Sequence, residues 1–514
     1  MKIWYDMSDL VTWKLPHLTG IQRTTVGILN GLGAHGDDVG LVRFDARSGR
    51  FVVLDAAELP ATVRCHLRGG VPPEGGSAPE AAPVAPAALD AVAHAPPARR
   101  KPRRIKLFKK DFLLGPPDES QELRQAFREF KTAARLLRKT VGRWAGRRLL
   151  GSHAAGRCEA ACAAAVADAT PVPTDRDTMP FAAAGDVLVS VGANWVTPGH
   201  CEAVSQARGR GILVVRMIYD LIPTIKPQWL EPIHTRSITA WVRHVLRESD
   251  HVLTISEFSR QEIERYCEEC RFAVPPLTVV RLGDVLTAAA VATSPPPLPR
   301  FAPSRPFFVC VSTFDVRKNH RLLYDAWTQL SSRRGDACPD LVCIGTPHLY
   351  VADLLREIRQ DRSVNRHIHV LHGIEDCELD WYYAHCQATI YPSKYEGWGL
   401  PVAESLGHGR LCLASNATSI PEISDLPAFF DAYDVHGLVR LVERTLDEPE
   451  WVREREDAIR GSFRPTPWRE TAAQVLAAID AATGATSPSA GIDIVSAAGM
   501  SPARAAQDTT ARAA

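Results

Sequence analysis

Short apolar runs, each closed by a polar, glycine-containing turn and followed by a helical pattern, recur along this chain. GDVLVSVGANW (185–195), GILVVRMIYDLIP (211–223) and HVLTISEFS (251–259) predict buried parallel strands that run into loops. RPFFVCVSTF (305–314), PDLVCIG (339–345), IHVLHG (368–373) and ATIYPS (388–393) repeat the pattern further on. Strands alternating with helices predict α/β domains with parallel sheets. Between the two series lies ATSPPPLPRFAPSRP, whose prolines predict a semi-rigid linker over 292–306. Two α/β domains, 1–291 and 307–483, would then face each other across a cleft at the carboxyl ends of their strands, where ligands of such sheets bind.

Two regions break the pattern. Residues 66–98 are rich in Ala, Pro and Gly, and the tail 484–514 is rich in Ala, Ser, Thr and Gly; both compositions predict disorder. The segment 99–150 differs again. From Arg99 to Arg148 it carries 17 Lys/Arg against 5 Asp/Glu. Leu123, Phe127, Phe130, Ala134, Leu137, Val141 and Trp144 alternate at spacings of four and three, predicting an amphipathic helix with a basic opposite face. Such a helix either packs its stripe on the first domain or docks on an anionic membrane. RNA binding ranks below both, because the aromatic side chains lie on the apolar stripe and not between the bases' would-be contacts.

Composition narrows the classes. The 514 residues exceed one core, and 45% hydrophobic with 23% charged residues is ordinary for a soluble protein. A formal net charge of +1 argues against a dedicated nucleic-acid binder. The twelve cysteines are scattered, and the close pairs Cys267/Cys270 and Cys158/Cys162 have no second pair or histidine cluster at zinc spacing, so reduced thiols are expected. The first residues meet Asp6 and Asp9 before any signal-like apolar stretch, and no run reaches the roughly 20 apolar residues of a membrane span. The expected compartment is the cytoplasm, peripheral at the inner membrane face if the basic helix docks there instead of packing on the first domain.

Candidate chemistry gathers in the second domain. In FDVRKNH (314–320), Arg317 and Lys318 follow a predicted strand, where a fork of donors and a point charge suit a diphosphate. In YPSKYEGWGLPVAES (391–405), Gly397 and Gly399 let backbone approach a ligand, and Pro401 suits a helix start. The free amides and positive end of that helix attract anions. Glu404 falls about a turn inside it, where capping would explain an acid; Glu396 precedes it, where an acid beside a phosphate loop needs hydroxyls to accept from. Asp175 and Asp177 form a D-x-D in a proline-flanked loop, not at a strand end, and no metal is expected there.

These residues carry a resemblance. EGWGLPVAE resembles the E-x7-E signature of family-4 retaining glycosyltransferases. VSTFDVRKNH, LVCIG, HVLHGIEDCELDWYYAHCQATIYPSKYEGWGLPVAESLGHG and LASNATSIPEI stand in the family's order and spacing. LTGIQRTTVGIL (18–29), YDLIPTIKPQW and ISEFSR are similar in outline to the first domain of bacterial capsule, O-antigen and exopolysaccharide enzymes. The resemblance implies the GT-B fold, two Rossmann-like domains facing across a cleft, and transfer of a hexosyl unit, with mannose from GDP-mannose as the guess. The acceptor would be a growing polysaccharide or a lipid-linked glycan. It also implies that Glu396 holds donor-sugar hydroxyls, that Glu404 holds the ribose, and that Arg317 and Lys318 bind the diphosphate. Gly397, Trp398, Gly399 and Leu400 would line the diphosphate turn, backbone at Gly373 and Ile374 would read the base, and Gly20 would approach the phosphate from the first domain. Asp220, preceded by Tyr219 where many relatives have histidine, is the candidate that the resemblance adds to Glu396, Arg317 and Lys318 as a catalytic residue. No cofactor is implied beyond the nucleotide-sugar substrate. A catalytically silent GT-B binding subunit and a GT-B sugar-nucleotide epimerase are the alternative readings.

Overall fold

Four-residue runs such as IWYD (Ile3–Asp6) and VLVS (Val187–Ser190) are buried at every position, the signature of strands covered on both faces. The computed structural model describes residues 1–14, 18–34, 39–67, 104–107, 110–113, 177–284, 299–347 and 349–484. In chain order the strands are β1 (Ile3–Asp6), β2 (Val39–Asp45), β3 (Arg50–Val53), β4 (Arg104–Leu107), β5 (Lys110–Leu113), β6 (Val187–Ser190), β7 (Leu213–Met217), β8 (His251–Thr254) and β9 (Leu277–Val279). After them come β10 (Phe307–Val311), β11 (Asp340–Ile344), β12 (Ile368–Leu371), β13 (Ala388–Tyr391), β14 (Cys412–Ser415) and β15 (Ala428–Phe430).

The first sheet runs β3-β2-β1-β6-β7-β8-β9, parallel throughout except for β3, which closes the edge as a hairpin with β2. The second runs β12-β11-β10-β13-β14-β15, all parallel. This is the α/β architecture of two Rossmann-like sheets that the sequence predicts. Strand order reverses between β1 and β6 in one sheet and between β10 and β13 in the other, and a crevice opens at the carboxyl ends of such strands. The loops after β1, β6, β7, β10 and β13 therefore hold the residues of interest.

Residues Met1–Pro72 and Asp175–Ala514 make one unit, so both sheets share it; Pro73–Thr174 make another, whose described part is the antiparallel pair β4 and β5. The basic helix expected within 99–150, residues 68–98 of the expected insertion 66–98 and residues 292–298 of the linker 292–306 lie outside the described residues, as does the tail beyond 484. Among the described residues no helix is long and apolar enough to cross a membrane.

The helix Trp468–Thr483 comes after the second sheet in the chain but packs on the helix Gly20–Ala34 beside the first. A methyl group added at Gly27 would overlap the Trp468 ring, and one at Gly31 would overlap Ala472, so the two glycines set how closely these helices approach. One cluster of buried side chains continues from Tyr5, Val189 and Met217 of the first sheet through Ala472 and Val475 to Trp398, Val402 and Ile420. The two halves are thus joined by core as well as by surface.

Candidate active site

The loop after β10 is shaped by Asp315, whose carboxylate accepts from the backbone N–H groups of Arg317 (2.8 Å) and Lys318 (3.1 Å). Asn319 then turns left-handed (φ 62°), and its amide donates to the carbonyls of Pro392 (3.0 Å) and Ala432 (2.7 Å). These bonds tie the loop to the end of β13, beside the two strands where the sheet order reverses. Arg317 and Lys318 are thereby aimed at the loop after β13, and the residue they meet there is Glu396.

Glu396 is 6% exposed and fully engaged. One carboxylate oxygen accepts from Lys318 Nζ (2.6 Å), Tyr391 Oη (3.0 Å) and Ser393 Oγ (2.5 Å), and the other from Arg317. Burial by itself pushes this carboxyl up; the Arg317 and Lys318 charges outweigh it and hold the pKa at about 2. Lys318 is pulled down by burial and by Arg317, with Glu396 opposing. Asp315 adds a second carboxylate, 3.8 Å from the Arg317 guanidinium, so the two cations are matched by two carboxylates in the absence of a ligand.

The turn after Glu396 is held from below. Thr418 Oγ1 accepts from the Glu396 N–H (2.9 Å) and Ser419 Oγ donates to the Glu396 carbonyl (2.9 Å) and to that of Trp398 (3.2 Å). Gly399 has φ 136°, a conformation L side chains rarely adopt, and it starts the helix Leu400–Gly407. A Cβ at Gly397 would stand 2.9 Å from the Tyr219 carbonyl and 2.9 Å from Asp220 Cβ, so glycine here is what lets the first half's loop after β7 touch the second half's turn. Asp220 accepts from the Ile222 N–H (3.0 Å), and burial raises its pKa with Arg317 as the main opposing charge.

A second group forms one helical turn on. Glu404, 6% exposed, accepts from Tyr383 Oη (2.8 Å) and from Arg23 Nη1 (3.2 Å), while Arg23 Nη2 donates to Asp376 (2.9 Å). Arg23 belongs to the first half, on the helix Gly20–Ala34. Gly20, one turn before it, lies over Leu400, 3.8 Å from Leu400 Cδ1 to where a Cβ would stand. Trp398 is buried with Nε1 unpartnered, and the Arg281 guanidinium stands 5.3 Å from its ring centroid.

Gly373 and Ile374 lie in the loop after β12, just before Asp376. Gly373 is left-handed (φ 63°) with its carbonyl bonded by Arg300 (2.8 Å), and Ile374 packs against the cluster of Phe307 and Tyr382. The structure thus brings Glu396, Arg317, Lys318, Asp220 and Gly397 together, and Glu404, Leu400 and Gly20 together. Sequence reasoning missed Arg23, although it sits three residues after Gly20, on the same helix face. It also missed Tyr391 and Ser393, within five residues of Glu396, and Glu262. The Tyr395 hydroxyl donates to Glu262 across the cleft, and burial followed by the charge of Asp220 pushes Glu262 to about 7.

The family model described as Glycosyl transferases group 1 matches residues 299–462, the second half and most of the site. The Escherichia coli "Serotype-specific mannosyltransferase WbdA" is 24% identical over 230 residues, 43% of this chain and 28% of that protein. The E. coli "O-antigen chain mannosyltransferase B" is 26% identical over 243 residues, 46% of this chain and 62% of that one. The "MMP alpha-(1->4)-mannosyltransferase" of Mycolicibacterium hassiacum is 26% identical over 303 residues, 54% and 69%. The matched stretch therefore spans little more than a quarter of WbdA and under two thirds of the second E. coli enzyme.

Proposed function

From a second half that is a group 1 glycosyltransferase domain, we propose that the chain is a retaining, metal-independent glycosyltransferase. It moves a hexosyl unit, mannosyl by the names of its relatives, from a nucleotide sugar to a polysaccharide or lipid-linked glycan acceptor. The observation that carries the reading is the buried Glu396 carboxylate held between Arg317 and Lys318 at the ends of β10 and β13. A donor diphosphate entering there takes the two cations and releases Glu396 to accept from sugar hydroxyls. The amides of Gly397–Leu400 and the helix start behind them add to the anion's seat. Glu404 then serves the ribose hydroxyls, and Gly373 with Ile374 border the base.

In the transfer, the acceptor hydroxyl oxygen bonds to the sugar C1 on the face from which the phosphate leaves. The C1–O bond to phosphate breaks, and the hydroxyl proton passes to a leaving phosphate oxygen. The protein's task is to stabilise charge on the departing diphosphate, which Arg317, Lys318 and the turn amides do without a protein base. The neutralising charge comes from these groups, which is the ground for proposing that no metal is needed.

The test is nucleotide release from a panel of GDP- and UDP-sugars, with and without a manno-oligosaccharide acceptor. Wild type should release one nucleotide with acceptor dependence, and Glu396→Ala and Lys318→Ala should each lose at least about a hundredfold in kcat, the scale of a removed charge-stabilising group. Nucleotide binding without turnover of any donor would favour the silent subunit, and donor conversion without acceptor would favour the epimerase.

A further inference from the structure

The transferase reading leaves the acceptor without a seat on the first half's side of the cleft, and the role inferred for that side rests on the same reading. A cavity of about 270 Å³ lies against Arg317 and Asp220, just under the roughly 300–1,000 Å³ common for small-molecule sites. That is room for one sugar ring, not an extended chain. Among aliphatic neighbours such as Ile21 and Ile238, four aromatic side chains line it: Trp195 after β6, Tyr219 after β7, Trp229 in the short turn Pro227–Trp229, and Trp241 from the helix Pro232–Arg247.

The rings are braced. Trp195 meets Trp241 edge to face with centroids 5.3 Å apart, and Trp229 meets Tyr395, the neighbour of Glu396, at 6.2 Å. Tyr219 is fixed by donating to the Val191 carbonyl (2.9 Å). A pyranose offers apolar C–H faces and a rim of hydroxyls; rigid aromatic walls suit the faces, and carboxylates accept from the rim. The polar groups on these walls are Asp220, Asp315 and Glu231, with His234 exposed at the edge, and Arg317 is taken by Glu396 without a donor and by the diphosphate with one. This balance of charge repels an anionic group on the acceptor.

We propose that this cavity seats the acceptor and takes the terminal ring of a neutral hexopyranose chain, stacked on Trp229 and Trp195, in preference to a phosphorylated or carboxylated acceptor. A ring held there lies beside Arg317, where the leaving phosphate would be, so its hydroxyl is within the transfer site.

The experiment uses the full chain with the donor selected by nucleotide release. An unmodified manno-oligosaccharide is compared with the same chain phosphorylated on its terminal ring. Trp229→Ala and Trp195→Ala should raise the KM for the unmodified acceptor roughly tenfold or more while donor KM moves by less than about twofold, and Trp229→Phe should recover most of the loss. An unchanged acceptor KM in folded alanine variants, or a preference for the phosphorylated chain, would overturn the proposal. Should wild type turn over no donor, the transferase reading falls separately. Saturation-transfer NMR with the oligosaccharide alone then decides the seat: binding lost in Trp229→Ala supports it, and binding unchanged or absent in wild type sinks it.

Discussion

Glu396 is buried because two hydroxyls and two cations meet it, and Lys318 is buried, with Arg317 partly so, because Glu396 meets them. Breaking a buried pair leaves the remaining charge uncompensated, which costs about 3–5 kcal/mol. Glu396→Gln should therefore lower the melting temperature of the ligand-free protein. A nucleoside diphosphate should raise the variant's melting temperature more than the wild type's, because phosphate replaces the missing counter-charge; a thermal-shift pair with and without GDP and UDP measures this. Glu262 behaves oppositely with pH. Its ordinary value of 4.5 is pushed by burial, then by Asp220, to about 7, against the pull of Arg265 and Lys226. An acid raised in the folded state contributes stability below its unfolded pKa and loses it as pH rises through the folded one, here from 4.5 to about 7. The change is at most about 3 kcal/mol. Glu262→Gln removes the titration, so its melting temperature should gain on wild type between about pH 5 and about pH 8; a constant difference across that range would rule the titration out.

Among elements, the helix pair Gly20–Ala34 and Trp468–Thr483 bears the most specific demand. Gly31 meets both the Ala472 side chain and the Trp468 carbonyl, while Gly33, on the same helix, has open space where its Cβ would be. Gly31→Ala should destabilise by about 1–3 kcal/mol through overpacking, and Gly33→Ala should be neutral or stabilise by up to about 1 kcal/mol through helix propensity. Urea titration of both variants separates packing from propensity. This pair also marks what the sequence leaves illegible. The runs that became β6, β7, β8, β10, β11 and β13 could be read because they are buried at nearly every position, so hydrophobicity alone outlines them; β12, an edge strand buried only at Ile368, was marked by its apolar residues and the glycine that follows. The loops at their carboxyl ends could be read because Arg317, Lys318, Glu396 and Glu404 sit there in a spacing with chemical meaning. The helix Trp468–Thr483 has an apolar face, but no local pattern states against which half that face is buried. Arg23 and Glu404 are likewise unreadable as a pair, being 381 positions apart. Trp195, Trp229 and Trp241 come from three separate elements, and only the fold makes them one wall.

At the scale of the whole molecule, three sets of contacts close the cleft without a donor. The Glu422 carboxylate accepts from the N–H groups of Glu257 and Phe258 (2.7 Å each), at the start of the helix Glu257–Cys270 in the other half. The Tyr395 hydroxyl donates to Glu262 on that same helix. Arg23 spans Glu404 and Asp376, and the cavity they share measures only about 30 Å³. That is room for about two or three waters, too little for a ribose. On the proposed reading, a donor enters only once Arg23 leaves Glu404 and the halves part, a hinge motion of the kind two-domain enzymes use around ligands. The Arg23 pairs are partly exposed, with the arginine side chain at 26%, so together they are worth about 1 kcal/mol. Breaking them is a cost charged to every binding event. Arg23→Ala should then tighten nucleoside diphosphate binding by up to about fivefold in calorimetry, and the ligand-free variant should have a larger radius of gyration by small-angle scattering than wild type. Binding weakened about tenfold would mean instead that Arg23 swings from Glu404 onto the phosphates, making it a donor ligand and not a latch. Arg23→Lys separates the two further: a single ammonium cannot span both carboxylates but can still reach a phosphate, so it should match Arg23→Ala if the residue is a latch and wild type if it is a ligand.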